Sequence, residues 1–236
     1  MSFLINPYRF GGASSSLLTD LVSWWSLDET SGTRYDAHGS NDLADNATVL
    51  YGTGKISNAA DFEFSVNGEK LTNASPSGLG GGDRDYTIAC WFNPESLLTF
   101  TGLMSVQAGQ GSSVSDWMLI TGATSTNLYF YTATSSTWYL VQNTTALSTA
   151  TWYLAIAEYD SVNDTLRLSI NNGTAAETTS VPASNTTGNG FIMGSYGGST
   201  SYYDGLIDEA AFWARLLTTD EKTALYNSGS GIAYPG

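Results

Sequence analysis

Hydrophobic and polar residues alternate along many short stretches of the chain, which is the pattern of β-strands rather than helices. In residues 165–170 the apolar side chains Leu166, Leu168 and Ile170 recur at every second position. Further predicted strands, separated by turn residues, lie at residues 56–64, 86–93, 116–121, 127–132, 137–142 and 151–159. Strands at such close spacing predict an all-β fold of the sandwich type.

One stretch near the C-terminus is apolar on both faces. Strict alternation places Asp208 on one face with Ala210 and Phe212. Ile207 and Trp213 then fall on the other face. A strand with two apolar faces is typical of the centre of a layered structure. It therefore predicts a central strand whose buried acid needs a partner.

A short helix is predicted after this strand. Thr218 and Glu221 have the spacing of a capping box, in which each residue satisfies a backbone N–H of the other. Leu225 and Tyr226 follow at helical spacing, and Gly229 marks the stop. We expect one C-terminal helix of about two to three turns.

The chain is acidic, with a net charge of −14, and only 13% of its residues are charged. This balance disfavours nucleic acid and anionic membranes as partners, because both require a basic face, but it permits divalent cations. Cys90 is the only cysteine, so it forms no intrachain disulfide, and its alternating strand predicts a buried thiol. No apolar run approaches the length of a membrane-spanning helix. Asn6 and Pro7 interrupt the apolar start, so we expect neither membrane insertion nor an ordinary signal peptide.

Several short motifs occur in an order that resembles the laminin-G-like jelly roll of the concanavalin A-like lectin and glucanase superfamily. They are an opening strand at residues 21–32, an Asp-x-x-Gly-x-x-x-Leu loop at 36–43, Asp-Gly-x-Ile-Asp-Glu at 204–209, Arg-x-Leu-Thr-x-x-Glu at 215–221, and Leu-Tyr-Asn at 225–227. The resemblance implies an antiparallel two-sheet sandwich. It predicts a jelly-roll domain at residues 20–236, preceded by an arm and linker at 1–19.

The resemblance also implies a structural calcium ion where the first and last strands meet. Asp208 matches the family's usual ligand in the last strand, and Asp28 and Asp36 in the opening region are candidates for the same site. Calcium prefers carboxylate and carbonyl oxygens in such loops. The alternative is that these acids cap turns, or pair with Arg34 or solvent.

Glycan binding needs aromatic surfaces beside polar groups, because sugar faces stack on rings while sugar hydroxyls require hydrogen-bond partners. The candidate ligand-binding residues are Trp117, Tyr129, Tyr131, Trp138, Tyr202 and Tyr203. The alternative for these residues is a place in the core or in a subunit contact.

Catalysis is not expected. Glycoside hydrolysis requires two suitably spaced carboxylates, and laminarinase-like relatives carry them in a Glu-x-Asp-x-x-Glu strand. This chain has no such run, because Glu158-Tyr159-Asp160 ends its strand without a third acid.

The N-terminal arm resembles short heads of tailed-phage virion proteins through its Asn-Pro-Tyr-x-Phe motif. Its predicted anchoring residues are Phe3, Ile5, Tyr8 and Phe10. The resemblance implies a non-enzymatic virion protein, in capsid decoration or in a fibre or tail tip. It would be held by other virion proteins and would be homo-oligomeric, most simply a trimer. The alternatives are a carbohydrate-binding lectin module of a phage or bacterium, located extracellularly and recognising cell-surface polysaccharide, or a glucanase.

Overall fold

The computed structural model describes residues 16–65, 68–107, 115–124, 126–134, 137–184, 190–196 and 201–236. The strands, in chain order, are β1 (Leu21–Trp25), β2 (Ala44–Asn46), β3 (Leu50–Thr53), β4 (Asn58–Phe62), β5 (Lys70–Asn73), β6 (Tyr86–Pro94), β7 (Gly102–Gln107), β8 (Ser115–Thr121), β9 (Leu128–Ala133), β10 (Trp138–Gln142), β11 (Tyr153–Asp160), β12 (Thr165–Ile170), β13 (Ala176–Thr179), β14 (Gly190–Met193) and β15 (Gly205–Trp213). A helix, α1 (Thr219–Tyr226), and a 3-10 turn (Asn227–Gly229) follow β15.

The strands form two antiparallel sheets, as the alternation predicts. The eight-stranded sheet has the order β13-β12-β11-β6-β15-β4-β3, and β1 also pairs with β15. The seven-stranded sheet has the order β10-β9-β8-β7-β14-β5-β2. The fold class is thus an antiparallel jelly-roll sandwich with a short C-terminal helix, and β15 is a central strand.

Two hydrophobic layers hold this architecture together. The first lies between the sheets and contains large side chains such as Tyr86, Phe130 and Phe212. The second covers the outer face of the eight-stranded sheet, where Trp213 and Leu17 pack together with α1. Burying this apolar surface supplies the main favourable term in folding.

The C-terminal helix begins with the predicted capping box. The Thr218 hydroxyl accepts a hydrogen bond from the Glu221 backbone N–H at 3.3 Å, and the Thr218 N–H donates to Glu221 Oε2 at 2.8 Å. The helix ends at Tyr226, earlier than the stop predicted at Gly229, because Asn227 adopts a left-handed conformation with φ of 45°.

The segment just before β1 is packed onto the domain. The Trp213 indole N–H donates to the Leu17 carbonyl at 2.7 Å, and Arg215 donates to the carbonyls of Ser16 and Thr19. Residues 16–19, which the sequence places in the arm, therefore belong to the packed domain. The anchoring residues predicted in the arm (Phe3, Ile5, Tyr8 and Phe10) lie outside the described residues.

A β-bulge in β15 overturns the face assignment made from strict alternation. The pairing of β15 with β6 shifts register between Asp208 and Ala211. Ile207 therefore joins Ala210 and Phe212 in the layer between the sheets. Asp208 lies opposite Trp91, a residue of the outer layer. One extra residue in a strand turns two successive side chains toward the same side.

Candidate functional site

The bulge brings two acidic side chains together on the outer side of the eight-stranded sheet. Asp208 and Glu209 are 0% and 4% exposed. Glu209 has a φ of 44°, in the left-handed region that non-glycine residues seldom adopt. Such backbone strain persists only where the surrounding structure enforces it.

Each of these carboxylates has one oxygen with a hydrogen-bond donor and one without. Asp208 Oδ2 accepts from the Ile56 N–H at 2.9 Å, and Glu209 Oε2 accepts from the Trp24 indole N–H. Asp208 Oδ1 and Glu209 Oε1 are buried and have no hydrogen-bond partner. A buried carboxylate oxygen without a donor is costly, so this pair requires either protons or a cation.

The electrostatics of the pair agree with its geometry. Burial raises the pKa of Asp208 to about 7, although backbone N–H donors oppose the shift. Burial, together with the neighbouring Asp208 and Asp28, raises the pKa of Glu209 to about 8, although the hydrogen bond from Trp24 opposes the shift. The two carboxylates thus lie close enough to disfavour each other's charge.

The two other acids proposed as metal ligands differ from each other in their surroundings. The Asp28 carboxylate is near enough to raise the pKa of both Asp208 and Glu209, and its Oδ1 accepts from the Asn58 N–H at 2.9 Å. Asp36 instead accepts four backbone N–H groups, from Trp24, His38, Gly39 and Asn41. Asp36 therefore caps a turn, which was the alternative to metal binding. Its assignment as a metal ligand loses support, because both of its carboxylate oxygens already accept hydrogen bonds.

Arg34 does not pair with the candidate ligands. It is buried and donates to the carbonyls of Gly32, Val49 and Leu50. Sequence reasoning also missed Glu209, because nothing in the residue pattern marks the bulge that turns it toward Asp208.

Hard oxygen ligands that lack protein donors fit calcium. Asp208 and Glu209 each offer one such oxygen, buried and without a hydrogen-bond partner, although Asp28, Asp208 and Glu209 are not among the described acids whose ligand atoms all lie within 4.8 Å of one another. A second acidic group, formed by Asp61, Glu63 and Glu95, has ligand atoms within 4.8 Å of one another. Asp61 and Glu63 are half-buried and Glu95 is exposed, and Asp61 Oδ1 is buried without a hydrogen-bond partner.

Four of the six aromatic residues proposed to bind a ligand are buried, and Tyr129 is the least so, at 9% exposed. Trp117 is 1% exposed, stacks against Phe212 and donates its indole N–H to the Leu79 carbonyl at 2.7 Å. Tyr202 and Tyr203 are also buried. A sugar has no access to these rings, which corrects the prediction for Trp117, Tyr202 and Tyr203 in favour of the core alternative.

Tyr129, Tyr131 and Trp138 lie together on the outer face of the seven-stranded sheet. Ring centroids are 5.7 Å apart for Tyr129 and Tyr131, and 6.1 Å apart for Tyr131 and Trp138. Tyr129 is largely covered, Tyr131 is half-buried, and Trp138 is 42% exposed. The group therefore offers ring surface at its Tyr131 and Trp138 end.

Strand pairing connects these rings to the opposite half of the same face. A single row of directly paired residues, which we call the cross-strand row, runs over six strands from β10 to β5. It consists of Leu140, Tyr131, Met118, Ser105, Ile192 and Thr72. With neighbouring strands about 4.8 Å apart, the row spans roughly 24 Å.

A cavity of about 260 Å³ lies at the Thr72 end of this row. It is lined by Thr72, Asn73, Ala74, Gln107, Gly190, Phe191 and Ile192. The lining thus combines hydroxyl and amide groups with apolar surface. Gln107 Nε2 donates to the Ser105 hydroxyl at 3.0 Å, which holds the amide against the row.

Solved structures with the same fold include domains from a glycosidase and from toxins. Domain 4 of AbnA, an extracellular arabinanase from Geobacillus stearothermophilus solved in complex with arabinotriose, aligns with a TM-score of 0.67 and 21% identity over 86% of this chain and 97% of that domain. The binding domain of Paraclostridial Mosquitocidal Protein 1 aligns with a TM-score of 0.71 and 14% identity over 90% of this chain. The botulinum neurotoxin serotype G binding domain aligns with a TM-score of 0.68 and 10% identity over 89% of this chain. This chain spans about half of each toxin domain, 53% and 51%.

No curated protein matches the sequence. Among the described residues, no helix is long and apolar enough to cross a membrane. The family model Laminin_G_3, described as concanavalin A-like lectin/glucanases superfamily, matches residues 68–221. That match covers more than half of the 236 residues, and the chain therefore belongs to this superfamily.

Proposed function

We propose that the chain is a non-catalytic carbohydrate-binding domain. Its glycan lies in the cavity between β5, β7 and β14. The observation that carries this proposal is a cavity whose lining combines hydroxyl, amide and apolar groups.

The chemistry of this face suits a sugar. Thr72, Asn73 and Gln107 place hydroxyl and amide groups in the cavity, where they can exchange hydrogen bonds with sugar hydroxyls. Ala74 and Ile192 line the cavity and offer apolar surface to the C–H faces of a sugar ring. The complex of the arabinanase domain with arabinotriose supports the proposal, because that domain has the same fold.

The same face lacks the groups that hydrolysis requires. Glycosidases use two carboxylates on either side of the scissile bond. None of the residues that line the cavity or form the cross-strand row carries a carboxylate. We therefore expect binding without release of reducing ends.

We propose in addition that Asp208, Glu209 and Asp28 hold a calcium ion with a structural role. The site lies on the outer side of the eight-stranded sheet and the cavity on the outer face of the other sheet. An ion there would stabilise the junction of β1 and β15 without contacting the glycan. It would supply the positive charge that the two unpartnered oxygens lack.

The role in a tailed-phage virion stays a prediction, as do the trimer and the extracellular alternative. The residues on which the virion role depends are those of the arm, and they lie outside the described part of the chain.

The cavity can be tested by filling it. Ala74 is exposed and lines the cavity, so Ala74→Trp occupies the space with little effect on the core. In calorimetric titrations with arabinotriose and other short oligosaccharides, we expect Ala74→Trp to weaken binding at least about tenfold, or ~1.4 kcal/mol. Val162→Trp, at a position that is 84% exposed in the turn after β11, is the matched control and should bind like the unmodified chain. Equal binding by Ala74→Trp would place the glycan elsewhere.

A further inference from the structure

The lining of the cavity carries no charged side chain. The cavity lining and the cross-strand row contain only uncharged residues. Asp116 lies in β8, but it is 1% exposed and already has an interaction partner. A ligand in the cavity therefore meets hydroxyl, amide and apolar groups.

The segments that join the neighbouring strands have the same character. In the sequence, residues 108–114 follow β7 and residues 185–189 precede β14. These segments, together with residues 135–136 and 197–200, are built from Ala, Gly, Ser, Thr, Asn, Gln and Val, without an acid or a base. Charge is thus absent from the cavity lining, from the cross-strand row and from the sequence of these segments.

Most of the cations that follow residue 15 are engaged inside the domain. Arg34 and Arg84 donate to backbone carbonyls. Arg167 and Arg215 pair with acids. Lys222 Nζ lies 2.6 Å from Glu158 Oε2. These groups are therefore not free to bind an anionic ligand.

Two lysines remain. Lys55 Nζ lies over the Trp91 ring, 4.6 Å from its centroid, on the other sheet. Lys70 is two residues before Thr72 in β5, on the same face as the cavity, and it forms no side-chain hydrogen bond or ion pair with the described residues. It does not line the cavity. The chain thus has one lysine beside the cavity and a net charge of −14. The electrostatic field of so acidic a protein repels polyanions.

We infer that the glycan recognised by this domain is uncharged, a neutral oligosaccharide rather than a uronic-acid or sialylated one. This inference rests on the proposed function. It follows from recognition by hydroxyl, amide and apolar groups, in a protein whose overall charge disfavours anionic sugars.

The test compares neutral and anionic ligands at two ionic strengths. The full chain is titrated calorimetrically with arabinotriose and other neutral trisaccharides, and with trigalacturonate. The salt concentration is varied between about 0.01 and 1 M, over which the screening length falls from about 30 to 3 Å. We expect a neutral sugar to bind with an affinity that changes less than about twofold with salt, because no ion pair is formed. Trigalacturonate should bind at least about tenfold more weakly at low salt.

Lys70→Met provides the internal check, because Lys70 lies outside the cavity lining. Neutral-sugar affinity should be unchanged in this variant. Tight binding of trigalacturonate that is lost in Lys70→Met or at high salt would overturn the inference and leave the carbohydrate-binding function standing. If neither neutral nor anionic sugars bind, the proposed function itself fails, and the inference fails with it.

Discussion

Trp24 in β1 donates its indole N–H to the carboxylate of Glu209 in β15, a contact between residues 185 positions apart. It joins the beginning of the domain to its last strand, at the bulge that also carries Asp208. The indole stabilises one oxygen of a buried acid whose other oxygen has no partner. The strained backbone of Glu209 is thus maintained by a residue from the far end of the sequence.

Replacing Trp24 by Phe should lower the free energy of unfolding by roughly 1–3 kcal/mol, because Glu209 then loses its hydrogen-bond donor while still buried. Urea unfolding measures the change. The packing part of the loss is separated by repeating the substitution in a Glu209→Met background, where no side-chain oxygen accepts the indole N–H. An equal loss in both backgrounds would assign the whole effect to packing.

Calcium should raise the melting temperature by roughly 5–10 °C when its concentration is about 100 times the dissociation constant, through an added stability of about 2.7 kcal/mol. Asp208→Asn should abolish this rise, and Glu209→Gln should reduce it. Differential scanning calorimetry with calcium and with a chelator measures both. Asp220→Asn, at an exposed position in α1, is the control and should keep the response. A calcium response that survives in Asp208→Asn would argue against the site.

Glu221 should make the domain sensitive to acid. Burial alone would raise its pKa, but hydrogen bonds from Arg215 and from the Thr218 and Ser16 groups lower it from 4.5 to about 2. A depressed pKa means that the ionised acid is stabilised in the folded state. Its contribution is complete above about pH 4.5 and is lost as the pH falls toward 2.

The corresponding variant is Glu221→Gln. It should be less stable than the unmodified chain at neutral pH, and the difference in unfolding free energy should shrink as the pH falls from about 4.5 to 2. Urea unfolding over that range provides the measurement. Glu177→Gln serves as the control, since its ion pair with Arg167 is solvent-exposed and contributes little. A difference that stays constant with pH would contradict the assignment.

Gly194 should be intolerant of a side chain. Its φ is 83°, and a Cβ atom there would overlap the ring of Phe62 in the core. Gly32 has a similar φ of 73° but nothing within 4 Å of its Cβ position. Gly32→Ala should therefore cost about 1 kcal/mol for the backbone alone. Gly194→Ala should cost roughly 1–3 kcal/mol more through overpacking. Equal losses of unfolding free energy for the two variants, measured by urea unfolding, would show that Phe62 can move to accommodate the added methyl group.

The framework could be predicted from the sequence because its signals are local. The period-two pattern of residues 165–170 coincides with β12, and the three strands predicted between residues 116 and 142 form the antiparallel run β8, β9 and β10. The capping box of Thr218 and Glu221 is likewise a short-range pattern. Alternation and capping depend on neighbours in the chain, and therefore survive without knowledge of the tertiary structure.

The site was less predictable because its geometry depends on departures from regularity. The bulge shifts every later residue of β15 relative to the faces expected from strict alternation. The residue types at positions 208 and 209 do not indicate a bulge. The pair Asn172-Gly173 is typical of the two central residues of a hairpin turn, yet the turn is centred one residue earlier. Asn171 and Asn172 have positive φ, and the Gly173 N–H donates to the Ile170 carbonyl. Register errors of one position are enough to reverse an inward and an outward side chain.

The aromatic residues illustrate the same limit. Trp117 and Tyr131 both lie in alternating strands, and only the pairing of the sheets decides that Trp117 enters the core while Tyr131 stays at the surface. The cavity also brings together residues from three separate strands. Long-range pairing of this kind is not encoded in a local pattern.

Both ends of the packed domain lie on the side opposite the cavity. Leu17 near the start and Tyr234 near the end pack in the layer that covers the outer face of the eight-stranded sheet. A surface or fusion partner attached through either end would therefore lie on the side of the eight-stranded sheet, opposite the cavity. The cavity would then face away from the surface to which the protein is attached. Protein immobilised through either end should therefore present its cavity to glycan in solution.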